Sequence, residues 1–442
     1  MPETLEIVLA PERLEEGSPE ERACFGLFSI RAGAALLTEG FDSYTNGYRA
    51  GPLVSGYHAA EWLVWNWWRL CAEPRTSAPN WWRAHQMNAI GEGYVWPNVT
   101  VFSDGVRTTL LSEKSAEPDA KPFRYFGSLP TIVPTGHFEA AVESFVPQVL
   151  ARLRDASIPE GCNLDRLWED LVSERQNPER TRFRRLEALL GRDPDEVEDD
   201  LIENLIGRSK QFGPKAIEEL AAHCAQRSAD ESDSLADGLF NMVIEASGTD
   251  AAPDDAIRFA TGTKRPRGAD VPAWRIGTAA AKAIREQTNL GCAPLSNVRL
   301  AEMAGTSAKA LDAPLVLSDL SFVYDKGPLS ARIVLRSRWA TSRRFDLARL
   351  IGDRLLYGSG EALHPATRAS TYRQKAQRAF AVELLAPFDA VDEMIHADYS
   401  TERQQAVAEH FEISPWAVNR ALKNHGRIDS DFYDDDFEAA VA

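Results

Sequence analysis

Residues 343–353, R-R-F-D-L-A-R-L-I-G-D, and residues 373–387, R-Q-K-A-Q-R-A-F-A-V-E-L-L-A-P, decide how this chain is read. The first reads as an amphipathic helix on which Arg349 and Asp353 stand four apart, near enough to pair in the weaker of the two charge orders. Residues 331–378 carry eleven basic side chains against three acidic ones, inside a chain whose net charge is −17. So cationic a segment suits an anionic ligand: a nucleotide, a nucleic-acid backbone or an acidic peptide. The same arginines can also pair with acids elsewhere in so acidic a chain. Arg343, Arg344, Arg349, Arg373 and Arg378 are the candidates for anion or partner contact.

The cadence F-x-L-A followed by five residues, then F-A-x-x-L-L-x-P, resembles the ImmA/IrrE-type metallopeptidase family, whose segments read F-x-L-A-H-E-x-G-H and F-A-x-x-L-L-x-P. The resemblance covers roughly residues 272–428. It implies a zincin core, in which two His at i and i+4 hold zinc and the Glu between them polarises the bound water. Aligned on Phe345, Leu347 and Ala348, this chain places Arg349, Leu350 and Asp353 where the family has His, Glu and His, and keeps Gly352. A guanidinium has no lone pair for a metal, and a Leu side chain accepts no proton. The family's third ligand is a carboxylate a few residues ahead of F-A-x-x-L-L-x-P, yet Pro365 to Val382 contains no Asp, Glu or His.

By that resemblance the expected metal, cofactor and catalytic residues are none, and the domain is a pseudoenzyme. Its implied role is non-catalytic binding or regulation in bacterial stress, mobile-element or phage-defence control. A protein partner is foremost, with nucleic acid or another anionic ligand next. Two other readings stand beside it: a helix-turn-helix DNA-binding regulator, and an enzyme whose site lies in the N-terminal domain.

The chain has 442 residues, long enough for two or three domains with sizeable cores. The start M-P-E-T-L-E shows no secretory signal, no apolar run approaches a membrane span, and five scattered Cys fit reduced thiols. A cytoplasmic protein with no membrane partner is expected. Net charge of −17 excludes a surface that is basic all over, so any nucleic-acid contact is local.

The expected fold class is α+β, with five parts. Residues 1–155 form a Trp-rich α/β domain, 156–247 a helical connecting or interaction region, 248–271 a linker, 272–428 the zincin-like domain, and 429–442 an acidic tail. In the first part L-E-I-V-L-A, C-F-G-L-F-S-I-R-A and Y-V-W-P-N-V-T-V-F read as strands, and Ser103-Asp104-Gly105 as a hairpin turn. One helix, A-A-E-W-L-V-W-N-W-W-R-L, stops before Pro74, and another covers about Phe138 to Arg154. Seven of the eleven Trp fall between positions 62 and 96, too many for one helix face to bury. They pack on the sheet or form a contact surface. His58, Glu61, Trp65, His85 and Glu92 are the candidates for a polar pocket there.

Downstream, A-S-G-T-D-A-A-P-D-D reads as a flexible connection. A helix at W-R-I-G-T-A-A-A-K-A-I-R-E-Q-T and short strands at A-P-L-V-L-S, S-F-V-Y and A-R-I-V-L-R-S precede the decisive stretch. After it, residues 401–427 give a helix, a turn, Ser414 as N-cap, Pro415 at the first helical position and a second helix. That outline makes Trp416, Asn419, Arg420 and Lys423 the candidates for facing DNA. The bland alternative, favoured by nearly balanced charge, is packing on the core. The tail D-S-D-F-Y-D-D-D-F-E either stays solvated or docks on a cationic groove, in which case its deletion strengthens anion binding.

Overall fold

A computed structural model describes residues 4–429 apart from 79, 117–121, 129, 159–161, 227–237, 265, 315, 317, 328 and 359. The acidic tail, from residue 430 on, and its docking therefore lie outside the described residues. Helix makes up 49 % of the chain and strand 16 %. Every strand pair described is antiparallel, so the mixture is α+β. The chain divides into two compact units, Met1–Glu198 and Asp199–Ala442, with the division inside the stretch read as a helical connector.

In the first unit β1 (Leu5–Pro11) pairs with β2 (Phe25–Ala32). Its sheets are antiparallel, not the parallel kind that the expected α/β label implies. The helix expected through the Trp cluster is two helices, α1 (Gly56–Trp65) and α2 (Trp67–Ala72), broken at Asn66. Asn66 Nδ2 donates to the Trp62 carbonyl at 2.9 Å, and the side-chain phase restarts beyond it. Trp62, Trp67 and Trp68 of these helices are buried, as are Trp81 and Trp96 beyond them, while Trp65 is 50 % exposed.

The predicted hairpin is present as β3 (Val99–Ser103) and β4 (Arg107–Ser112), with Ser103 opposite Thr108. The Tyr94–Asn98 part expected to extend its first strand lies outside it. A third strand, β5 (Thr131–Pro134), pairs with β4. Helix α3 (Thr135–Asp155) then buries Phe138, Val142, Phe145, Val149 and Leu153, a three-and-four spacing that puts all five on its core face. Two further helices, α4 (Asn163–Gln176) and α5 (Pro178–Leu189), complete the unit. Just past the last of these, Gly191 takes φ 75°, a conformation that glycine adopts without steric cost.

The second unit opens with α6 (Asp199–Phe212) and α7 (Pro214–Cys224). Its sheet runs, edge to edge, β6 (Thr249–Ala251), β8 (Ser330–Val334), β7 (Ser321–Gly327) and β9 (Leu363–Ala366). Two expectations fail here. The stretch read as a flexible connection supplies β6, whose backbone pairs with β8, and the described residues of A-P-L-V-L-S are not a strand. Between β6 and β7 comes α8 (Ala273–Gln287).

Both decisive stretches are helices: α9 (Ala340–Tyr357) and α10 (Tyr372–Leu385). Helix α10 is buried nearly all round. Two glycines let its neighbours close on it. A Cβ on Gly352 of α9 would lie 2.6 Å from Phe380 Cδ1, and one on Gly277 of α8 would strike the Ala376 carbonyl oxygen. Helices α11 (Phe388–Ile395), α12 (Thr401–Phe411) and α13 (Pro415–Asn424) follow. Ser414 caps α13 by accepting from the Ala417 amide, and Ala417, Val418, Ala421 and Leu422 are buried in the unit's core. The helix pair thus packs on its own domain.

Candidate functional site

At the contact of α9, α10 and β9 lies a polar network enclosed by apolar side chains. Asp353, fully buried, receives Arg373 in two parallel bonds: Nε to Oδ1 at 2.7 Å and Nη2 to Oδ2 at 2.5 Å. Gln377 Nε2 donates to Oδ1 at 2.6 Å, and His364 Nδ1 lies 3.0 Å from Oδ2. Each carboxylate oxygen therefore meets two partners, which uses the lone pairs that a metal would need. Burial alone would raise the Asp353 pKa. Charge and hydrogen bonds from Arg373 and His364 together outweigh burial and hold it well below the usual carboxylate range.

Arg349, the other polar residue of the motif face, does not pair with Asp353 as its spacing suggested. Its Nη2 donates to Thr367 O and to Gln374 Oε1, both at 2.6 Å, and its Nη1 lies 3.6 Å from Asp346. Asp353 is instead taken by Arg373 of the facing helix, which reaches it with both nitrogens of its fork, while Arg349 turns to Thr367 and Gln374. Leu350 is buried in the apolar core.

Acids from farther away close the network. Thr371, the N-cap of α10, donates its hydroxyl to Glu219 of α7 at 2.7 Å. Burial raises the Glu219 pKa, with Arg373 pulling the other way. Glu361 accepts from the backbone amides of Lys215 and Ala216 at 3.2 and 2.7 Å, capping α7 from outside, and lies 3.8 Å from Arg373 Nη1.

Beside the network opens a cleft of about 310 Å³. Arg336, Arg349, Arg368 and Arg378 line it against two acids, Asp319 and Asp346, with Trp339 and Trp416 among its walls. Of the five arginines expected to meet an anion, the cleft takes Arg349 and Arg378. The other three hold structure together: Arg373 as above, Arg343 on the Ala310 carbonyl at 2.9 Å, and Arg344 on Leu295 O, Asn297 and Glu412. Among the DNA-facing candidates, Trp416 lines the cleft, Asn419 donates to Gln404 at 3.2 Å, and Arg420 and Lys423 are half-buried on α13.

The N-terminal candidates do not form one pocket. His58 sits between Glu21 Oε1 at 3.4 Å and Glu61 Oε2 at 3.8 Å, and Tyr94 also donates to Glu21. His85 belongs to a separate buried cluster, where it contacts Glu73 at 2.9 Å, stacks on Trp81 and has Arg69 as a neighbour through Glu73. Trp65 and Glu92 are exposed.

Sequence reading missed His364, which stands one residue ahead of the window searched for acids and His. It also missed Gln374 and Gln377, which carry no charge to draw notice, and Glu219, whose approach depends wholly on tertiary packing.

The described residues contain no group of three or more His, Cys, Asp or Glu able to hold a metal ion. A zinc site of the zincin kind does not fit: one motif position is a cation and another a hydrocarbon, and the oxygens of the third are taken. No helix among the described residues is long and apolar enough to cross a membrane. No family model, curated protein or solved structure matches this chain.

Proposed function

We propose that the second unit is a zincin-like scaffold of the ImmA/IrrE type whose metal centre has been replaced by an internal ion pair. In this reading the protein binds and regulates and does not hydrolyse. The observation that carries it is the Asp353–Arg373 pair. Asp353 occupies the second His position of the motif, and a side chain from the helix bearing F-A-V-E-L-L-A-P fills its coordination sphere. Support comes from Gln374 as well: it stands six residues ahead of Phe380, in the region where the family has its third ligand, and contacts Arg349 at the first ligand position. Three positions that would share a zinc ion are instead served by hydrogen bonds. The close contact of Gly352 with Phe380 joins the two motifs as the resemblance requires.

The setting implied is bacterial and cytoplasmic, in the control of stress responses, mobile elements or phage defence. The face offered to a partner is the arginine-lined cleft next to the replaced centre. Hydrolysis is the test. Purified chain supplied with zinc and incubated with unfolded casein and a mixed peptide library yields no cleavage products by mass spectrometry. Cleavage that survives purification to homogeneity and stops on changing a network residue contradicts the reading.

A further inference from the structure

We infer that the cleft between Arg336, Arg349, Arg368 and Arg378 takes a nucleotide, its phosphate held by the arginines and its base laid against Trp339. The inference rests on the reading of this unit as a binding scaffold and names the chemistry of what it binds.

Three observations point to that ligand together. Four guanidinium groups and two carboxylates line one concavity; Asp346 is engaged by the Ser321 hydroxyl at 2.6 Å and by Arg349, and Arg378 gives one bond to the Ala369 carbonyl at 3.1 Å. The surplus is positive and comes as planar forks, the donor geometry that matches phosphate oxygens. Arg349 lines the cleft while only 7 % exposed, so its charge is poorly screened by water there. A partly desolvated cation attracts an anion more strongly than one in bulk water.

Trp339 adds the third observation. It is 61 % exposed, although a large apolar ring gains free energy by leaving water, and it borders the same cleft. The Arg338 guanidinium lies over its ring, 4.7 Å from the centroid. An exposed indole beside an arginine cluster is the pairing that recognises a base and its phosphate together, since every base has a face to stack. Inorganic phosphate would leave the ring idle, as would an acidic peptide. The volume, about 310 Å³, stands at the small end of ligand sites, which suits one nucleotide.

One ligand chemistry here has two sources, a free nucleotide and the terminal nucleotide of a single strand. Calorimetric titration of the full chain separates them, using the eight common ribo- and deoxyribonucleoside monophosphates, a 5′-phosphorylated oligothymidylate, sodium phosphate and a polyglutamate peptide. The expected result is saturable binding of at least one monophosphate or the oligothymidylate, at least about tenfold tighter than sodium phosphate. That affinity drops by about tenfold or more in Trp339→Ala, an exposed position, and in Arg336→Ala, and it weakens as salt rises. Preference for the monophosphate or the strand identifies the source.

Three results overturn the inference: no saturable nucleotide binding, polyglutamate binding as tightly as any nucleotide, or unchanged affinity in Trp339→Ala. Zinc content measured on the same preparation keeps the two readings apart. A zinc-free chain that ignores nucleotides refutes this inference alone, and a chain that retains stoichiometric zinc refutes the scaffold reading beneath it.

Discussion

Asp353 and Arg373 face each other across two packed helices in a bidentate ion pair, 2.7 and 2.5 Å long, with Asp353 wholly buried. Removing one partner strands a charge in the core, so Asp353→Ala should lower the stability of this unit by about 3–5 kcal/mol. The double change Asp353→Leu with Arg373→Met should lose less than the single one, because no lone charge remains between them. Urea unfolding followed by circular dichroism measures both. Equal or greater loss in the double variant would show that Arg373 acts chiefly through Glu219 and Glu361.

Gly352 and Gly207 are both helical glycines, yet substitution should move them in opposite directions. Gly207 has open space where a Cβ would go, so Gly207→Ala should stabilise by roughly 0.5–1 kcal/mol through helix propensity. At Gly352 the new Cβ meets the ring of Phe380, which is fully buried and has no room to swing away. Gly352→Ala should therefore destabilise, by about 1–3 kcal/mol from overpacking. Thermal unfolding of the two variants, side by side, gives the signs.

The helix that carries Gly352 was legible beforehand, for a physical reason. The spacing around Arg349 marks a helix, but that Gly352 closes on Phe380 was expected only through the resemblance that links their two motifs. The network was not legible in the same way. Asp353 finds Arg373, Gln377 and His364 only after the helices and β9 have met, and Glu219 reaches it from 134 positions earlier in the chain. Arg349 and Asp353 misled because spacing on one helix does not show that Arg373 of the facing helix takes the carboxylate first. The Trp cluster was half read: a continuous helix already turns Trp67 away from Trp62, but the break at Asn66 that starts a second helix was not anticipated. Trp339, the exposed ring of the cleft, lay outside the cluster that drew attention.

His58 provides a pH signature in the first unit. Burial pulls its imidazolium pKa down, but hydrogen bonds and charge from Glu61 and Glu21 outweigh burial, and the net shift is upward. A raised folded pKa means stability fully present below the unfolded value of about 6.5 and lost as pH rises through the folded one. Nuclear magnetic resonance titration of the His58 ring should give a midpoint above that of an unstructured His. Glu61→Gln should move the midpoint down and flatten the pH dependence of stability above the unfolded value.

The α12–α13 pair has a helix-turn-helix outline, but α13 spends one face on the core. Leu422→Ala should accordingly cost about 2–5 kcal/mol as a fully buried deletion. Duplex DNA binding, measured by fluorescence anisotropy across a salt series, should be absent or too weak to show the steep salt slope of a groove reader. A steep slope lost on changing Arg420 and Lys423 would favour a DNA-binding regulator instead.

The central claim is that hydrogen bonds and an ion pair occupy the place where a related scaffold would hold zinc. Elemental analysis tests it most directly, on chain loaded with excess zinc and then dialysed against metal-free buffer. The account predicts far less than one zinc per chain, unchanged in Asp353→Asn. One zinc retained per chain, and lost on that substitution, would contradict it.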